Sequence, residues 1–249
     1  MPDFRMVRRA LVVGGTSGIG RGVAAELLAG GTDQVLITGR DRDRARAVAD
    51  ELSPLGDRTA GAGLRVGWSQ EALADFSYAW GRSTTARWGS GWDLVLLAAG
   101  SVARTADGQL AEAEGLRWLM GEAVNGWLRD GGVLGVITST LTEGPVPREL
   151  AGLQSWIDAK RMVATRARDL GRHAAGVTVL DFAFHRVRDT AQWDGAPELE
   201  RGFTALERQE NCVLDARSAA MFVAYYMRAR HVSGRLSPTQ AIPRVDPHR

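Results

Sequence analysis

Three glycines form the first motif that could contribute to a binding site. Gly14, Gly18 and Gly20 stand in a G-x-x-x-G-x-G spacing within ALVVGGTSGIGRGVAAELL, after an apolar run and before a helical one. Such glycines permit a tight turn and let backbone N–H groups approach a pyrophosphate at the start of a helix. The strand, loop and helix context predicts a dinucleotide site, with a purely structural turn as the alternative. The residues expected to line it are Gly14, Thr16, Ser17, Gly18, Ile19 and Gly20.

Arg40 follows the second apolar run, QVLIT. An acid at this place would accept hydrogen bonds from the ribose of NAD, whereas a guanidinium can bind the extra 2′-phosphate of NADP with two hydrogen bonds. The sequence therefore predicts NADP(H) as the cofactor. Arg21 is a second candidate for that phosphate, with an ordinary helix-surface position as an equal alternative. Trp68 could stack on the adenine, although core packing is the favoured interpretation.

Lys160 is the single lysine of the chain, and the 31 basic residues are otherwise all arginine. Arginine is thus accepted at almost every basic position. A position that keeps a compact ammonium indicates chemistry that a planar guanidinium cannot supply. We therefore expect Lys160 to bind a ligand.

The elements that must position these residues follow an alternating pattern. Short apolar runs alternate with longer helical stretches, as in repeated βαβ units. Strands are predicted near 10–13, 34–38, 64–67, 94–98, 133–138, 177–181 and 235–237, and helices over 18–29, 42–52, 71–82, 108–129, 150–171 and 216–230. Right-handed crossovers then give an α/β fold, a Rossmann-like doubly wound parallel sheet with helices on both faces. The 249 residues fit one domain.

Over essentially its whole length the sequence resembles the short-chain dehydrogenase/reductase family. The resemblance rests on GGTSGIG, on AAG closing strand four, on ITST closing strand five, on Lys160 and on HVSGRLS near the C-terminus. It implies that Ser139 and Lys160 occupy the active site and that the lysine binds the cofactor ribose. It also implies a nicotinamide beside strands four to six, with Ala99 and Gly100 at the cofactor.

The resemblance extends to assembly. Members commonly form homodimers and homotetramers through the two helices that flank strand five, which here contain Trp118, Trp127 and Met162. Burial of these side chains in the core is the equal alternative.

The sequence departs from the family at the proton-donating tyrosine. In the family this tyrosine lies four residues before the lysine, and here SWIDAK puts Trp156 in its place. An indole N–H does not donate a proton near neutral pH. Counting along the helix before strand five puts Glu114 near the usual catalytic asparagine. The family's Pro-Gly after strand six is Phe184-His185, so His185 is a candidate replacement acid, with a structural role as the alternative.

The missing tyrosine limits the kind of substrate that could accept a hydride. Hydride transfer to a carbonyl creates an alkoxide that must be protonated, whereas transfer to an iminium yields a neutral amine. We therefore predict an NADPH-dependent reductase of an imine, iminium or other activated acceptor in specialised (natural-product) metabolism. Trp156 would hold the cation, with Asp158, Glu143 or Glu114 as counter-charges. The alternatives are a non-redox cyclase or isomerase and an NADP(H)-sensing binding protein.

Composition argues against several other classes of protein. A net charge of +2 with interleaved acids and arginines argues against nucleic-acid binding. The apolar runs are too short to cross a membrane, the lone Cys212 suits the reducing cytoplasm, and no histidine cluster suggests a metal. The aperiodic segment 186–215 is expected to form a substrate lid, with an ordinary surface excursion as the alternative.

Overall fold

The computed structural model describes residues 5–56, 65–70, 90–100, 105–146, 148–185, 187–188, 190, 214–229 and 232–236. Strands and helices alternate through these ranges, as the sequence predicts. In chain order the elements are β1 (Arg9–Val13), α1 (Gly18–Ala29), β2 (Gln34–Gly39), α2 (Arg42–Gly56), β3 (Arg65–Gln70), β4 (Trp92–Leu97), α3 (Ala106–Glu122), a π-helical turn (Ala123–Trp127), β5 (Leu128–Ser139), two 3₁₀ segments (Thr140–Thr142 and Arg148–Leu153), α4 (Gln154–His173), β6 (Thr178–Phe184), β7 (Val187–Arg188), β8 (Leu214–Asp215), α5 (Ala216–Arg228) and β9 (Gly234–Leu236).

The main sheet has seven parallel strands in the order β3-β2-β1-β4-β5-β6-β9. Val13 at the end of β1 pairs with Thr38 of β2 on one side and with Leu97 of β4 on the other. The strand order reverses between β1 and β4, which opens a crevice at the carboxyl ends of these two strands. The predicted α/β class and doubly wound topology are confirmed.

Two apolar cores lie on the two faces of this sheet, because successive strand residues point to opposite sides. On one face Val12 packs in the same core as Leu27 of α1 and Met227 of α5. On the other face Val13 packs in the same core as Met120 of α3 and Val163 of α4. The helix pair α3 and α4 thus forms one wall of the crevice and carries Lys160.

The predicted helix over 108–129 is wrong at its end. Helix α3 stops at Glu122, the π-helical turn buries Trp127, and β5 already begins at Leu128. The first residues of β5 are polar and glycine-rich, and the β4–β5 register shifts between Trp92 and Leu94. The early part of β5 therefore lacks the apolar pattern that reveals a buried strand.

Two other predicted segments lie largely outside the described residues: the helix over 71–82 and the lid over 186–215, of which only 187–188, 190 and 214–215 are described. No helix in the described part of the chain has the length and apolar character that a bilayer crossing requires.

Candidate cofactor and active site

The glycine loop connects β1 to α1 and lies against the end of β4. Gly14 has φ +81°, and a Cβ atom there would lie 2.7 Å from the backbone nitrogen of Ala99. Gly18 also has positive φ, at +52°, and a Cβ on Gly20 would overlap the carbonyl oxygen of Gly14. The loop can therefore fold this tightly only because these three positions lack side chains.

Helix α1 begins immediately after this loop. Its N-cap residue, Ser17, has extended backbone geometry, and its hydroxyl makes no capping hydrogen bond. The first-turn N–H groups of a helix have no partner within the helix, and they carry the positive end of its dipole. The chain thus has the cradle that a pyrophosphate requires, with half-buried Thr16 and Ile19 beside it.

The end of β2 touches the same loop. The N–H of Gly15 donates to Thr38 O at 3.0 Å. A Cβ on Gly39 would overlap the side chain of Thr16. Arg40 is the next residue and is exposed, and its side chain extends from backbone that lies beside the glycine loop. Arg21 instead forms an ion pair with Glu51, which links α1 to α2.

Lys160 is buried between α3, α4 and the sheet, with 7% of its surface exposed. Its ammonium donates to Ile137 O at 3.4 Å and to Ala99 O at 3.5 Å. A Cβ on Gly100 would lie 2.7 Å from Nζ. The predicted active-site lysine and the predicted cofactor residues Ala99 and Gly100 therefore lie in contact.

The electrostatics around Lys160 are unusual for a lysine. Burial lowers the pKa of its ammonium, and the negative charges of Glu112 and Asp181 oppose that shift. Charged lysines are expensive to bury unless acids or several acceptors surround them. The site supplies both: two carbonyl oxygens and two nearby carboxyl groups.

Glu112 of α3, and not Glu114, faces the lysine. Glu112 is 9% exposed and its Oε1 lies 3.7 Å from the same Gly100 Cβ position, whereas Glu114 is exposed. Glu114, which the resemblance puts near the family's catalytic asparagine, lies two residues further along α3 and so on a nearly opposite face of the helix. Sequence reasoning missed Glu112 because it lies among other acids in AEAEG and lacks a distinguishing spacing.

Trp156 lies one turn before Lys160 on α4, as predicted, and is 4% exposed. Its ring centroid is 5.9 Å from Lys160 Nζ, within range of a cation–π contact. Gln109, Glu112 and Lys160 line a small cavity with it between α3 and α4. Gln109 in turn accepts a hydrogen bond from the Ser155 hydroxyl at 2.7 Å.

Ser139 and His185 lie at the carboxyl ends of neighbouring strands. Ser139 ends β5, is buried, and accepts the N–H of Leu141 on its hydroxyl oxygen at 3.2 Å. His185 follows β6, and its Nδ1 lies 3.2 Å from the Thr140 hydroxyl. The Ser139 hydroxyl thus caps the turn after β5.

A buried ion pair supports this edge of the sheet. Arg235 of β9 binds Asp181 of β6 at 2.9 Å, and Thr138 donates to the same carboxyl group. Burial raises the pKa of Asp181, while the Thr138 hydrogen bond and the Arg235 charge oppose the rise. Arg235 also donates to Ser139 O at 3.0 Å. Asp181 is the single acid in the apolar run VTVLDFAF, a signal that sequence reasoning left unused.

Two of the predicted counter-charges are engaged elsewhere. Glu143 pairs with Arg235 at 3.1 Å, and Asp158 pairs with Arg161 at 2.9 Å while also accepting from Gln154. Both carboxylates are exposed. Among the described residues, Glu112 lines the same cavity as Trp156 and Lys160, so it fits the role of counter-charge better than Glu143 or Asp158.

No protein-family model matches the sequence, and no curated protein matches it. Solved structures match the fold over most of the chain. A short-chain dehydrogenase from Burkholderia cenocepacia in complex with NADP is 27% identical, with 92% of this chain and 95% of that chain covered and a TM-score of 0.68. A short-chain dehydrogenase/reductase from Serratia marcescens is 23% identical over 95% and 97%, with a TM-score of 0.72. One from Mycobacterium ulcerans is 20% identical over 92% and 87%, with a TM-score of 0.73. The chain therefore has the short-chain dehydrogenase/reductase fold.

Proposed function

We propose that the chain is an NADP(H)-dependent oxidoreductase of the short-chain dehydrogenase/reductase family that works without the family's tyrosine. The observation that carries this proposal is the position of Lys160. Its ammonium is buried against Gly100 at the end of β4, on the crevice that the glycine loop borders. A buried ammonium at the rim of this crevice is placed where a bound dinucleotide could accept its hydrogen bonds.

The described residues fit a phosphorylated dinucleotide. Gly14, Gly18 and Gly20 leave room for a pyrophosphate above the first turn of α1, and Ser17 leaves that turn uncapped. Arg40 would bind the 2′-phosphate, and Lys160 would bind the distant ribose. When bound, the nicotinamide supplies a hydride for reduction.

We propose an iminium or similarly activated acceptor. Trp156 has no acidic proton to give near neutral pH, and a serine hydroxyl is not among the usual general acids. An iminium needs no proton in the hydride step. Glu112 offsets the charge of Lys160, so the wall between α3 and α4 would not repel a cation. We assign such a reaction to specialised metabolism in the cytoplasm.

Two measurements test this function. Calorimetric titration with NADPH is expected to show saturable binding that Lys160→Met weakens. Rapid mixing of the NADPH complex with small cyclic imines and with matched ketones should then give turnover of the imines. Ketone turnover that Trp156→Phe leaves intact, together with inert imines, would contradict the iminium proposal.

A second candidate is a cyclase or isomerase with no net redox change. It is favoured by the same replacement of the family's tyrosine by Trp156, because a cofactor bound without a proton donor could also serve to shape the pocket. Product formation with unchanged absorbance of the reduced nicotinamide would identify it.

We also propose a homodimer or homotetramer formed through α3 and α4. Trp127 is buried in the core and is unavailable for this interface, but Trp118 and Met162 are half-buried. Light scattering of the purified protein would measure the assembly, and a monomer would exclude this interface.

A further inference from the structure

Two helix faces meet at the buried lysine. Glu112 follows Gln109 by three residues on α3, and Lys160 follows Trp156 by four residues on α4, so each pair lies on one face of its helix. All four side chains line the cavity between the helices. Glu112 of α3 therefore faces Lys160 across the contact between the two helices.

Among the described residues, the charges that act on Lys160 come from α3 and β6. Glu112 faces it from α3 and Asp181 from β6, and within α4 itself Arg168 acts on Asp181. Asp181 is held by Arg235 of β9 at 2.9 Å, which partly offsets its charge. From β5 and from the described residues 98–100 after β4, the ammonium meets the carbonyl oxygens of Ile137 and Ala99.

Of the two described carboxyl groups that act on Lys160, Glu112 is the one that Arg235 does not bind. Asp181 is committed to the Arg235 guanidinium, so its net field at Lys160 is weakened. Glu112 is buried beside the same Gly100 position as Nζ, where little water screens the interaction. Burial alone favours the neutral amine of Lys160.

We propose that Glu112 keeps the Lys160 ammonium charged in its buried site and thereby sets the pH range in which the cofactor is bound. Glu112 is thus a positioning residue that acts through Lys160. The binding half of this inference rests on the proposed function, in which Lys160 holds the ribose. The electrostatic half concerns the protein alone.

The sequence makes the electrostatic half directly measurable. Lys160 is the single lysine, so protein made with ¹³C-labelled lysine gives one lysine Cε resonance, which shifts when the ammonium loses its proton. A titration in the absence of cofactor reports its midpoint. Removal of the neighbouring negative charge in Glu112→Gln should lower that midpoint by about one pH unit or more.

The matched control is Glu114→Gln, two residues away on α3 but exposed. It removes the same charge and should leave the midpoint within about 0.3 pH units of the original protein. Glu112→Met provides a second neutral variant that suits the apolar contact between α3 and α4, in case Glu112→Gln fails to fold. A midpoint that neither neutral variant lowers overturns the inference.

The binding half is tested with NADPH across the same pH range. Above the Lys160 midpoint the ammonium is lost, so the dissociation constant should rise, and in Glu112→Gln that rise should begin at lower pH. Binding should be about twofold weaker than in the original protein at the shifted midpoint and should approach about tenfold weaker at pH values above both midpoints. Equal pH profiles in both proteins overturn the inference while the proposed function stands. Absence of NADPH binding by the original protein overturns the proposed function, and the cofactor-free titration still decides whether Glu112 controls Lys160.

Discussion

The ammonium of Lys160 lies 2.7 Å from the point that a Cβ atom of Gly100 would occupy. This distance is too short for a carbon and a nitrogen that are not bonded, but Nζ ends a flexible side chain and can move away. Gly100→Ala should therefore change stability by less than about 1 kcal/mol. The displaced ammonium should nevertheless weaken NADPH binding by about tenfold, the loss of one charged hydrogen bond. Thermal unfolding and calorimetry on the same variant separate these two effects, and unchanged affinity would argue against contact between Lys160 and the cofactor.

Gly14 should be far less tolerant of substitution. Its φ is +81°, and a Cβ there would meet the backbone of Ala99, which cannot move aside. Gly14→Ala should destabilise the protein by about 3 kcal/mol or more, combining backbone strain with steric overlap. Gly31→Ala is the matched control, because Gly31 has φ +87° with open space around it. Strain alone should cost about 1 kcal/mol there, and equal losses in denaturant unfolding would refute the close packing of the loop against β4.

Arg40 should determine which dinucleotide is preferred. Arg40→Ala removes the guanidinium proposed to bind the 2′-phosphate, so the affinity for NADPH should fall by about 10- to 100-fold, the range of lost charged hydrogen bonds. The affinity for NADH should stay nearly unchanged. Arg44→Ala removes an equally exposed arginine from the first turn of α2 and serves as the control. An equal loss for both cofactors would show that Arg40 acts by general charge.

Trp156→Tyr should restore carbonyl chemistry. A phenol at this position would lie next to the Lys160 ammonium, whose charge lowers the pKa of a neighbouring hydroxyl. General acid catalysis typically contributes about 10²- to 10⁴-fold, so ketone reduction should rise by at least about tenfold. Trp156→Phe introduces a ring of the same size as the tyrosine but without the hydroxyl, so its rate of ketone reduction should not rise. Matching rates for the two variants in single-turnover assays would mean that the hydroxyl does not reach the acceptor.

Arg235→Met should destabilise the protein in a pH-dependent way. The substitution leaves the buried carboxylate of Asp181 without its ion-pair partner, and we expect a loss of about 2–4 kcal/mol at neutral pH. Burial already raises the pKa of Asp181, and loss of Arg235 raises it further. Between its unfolded and folded pKa values the folded state then holds the extra proton, so stability falls as pH rises through that window.

The loss in Arg235→Met should therefore be larger at pH 8 than at pH 5, as measured by urea unfolding. Arg172→Met is the control, since Arg172 pairs with Asp169 at 3.5 Å on the surface. It should change stability by less than about 0.5 kcal/mol at either pH. A pH-independent loss in Arg235→Met would show that packing, and not the charge on Asp181, is what the variant disturbs.

The sequence predicts the sheet and the glycine loop because both depend on local patterns. The runs around Val12, Ile37 and Val95 are buried on both sides, and this continuous apolar character identifies a parallel sheet. The loop is recognisable because Gly14, at positive φ, admits almost no other residue. These features require no knowledge of distant contacts.

The wall of the site is less predictable because it depends on contacts between distant elements. Lys160 can be singled out by its uniqueness, but Glu112 becomes visible only when α3 and α4 pack together. Asp181 and Arg235 are 54 residues apart and form a pair only across the β6–β9 edge. Glu112 and Glu114 lie two residues apart on one helix, and the sequence alone does not show which of them faces α4.

The burial of Lys160 also affects how readily the folded protein reacts with electrophiles. A protein normally reacts with acylating agents, aldehydes and isocyanates at many lysine side chains on its surface, but this chain has one lysine, and 7% of it is exposed. Arginines are far weaker nucleophiles because they stay protonated. Covalent adducts on side-chain amines should therefore form slowly and at Lys160 alone, and a bound dinucleotide that covers its ammonium should slow them further.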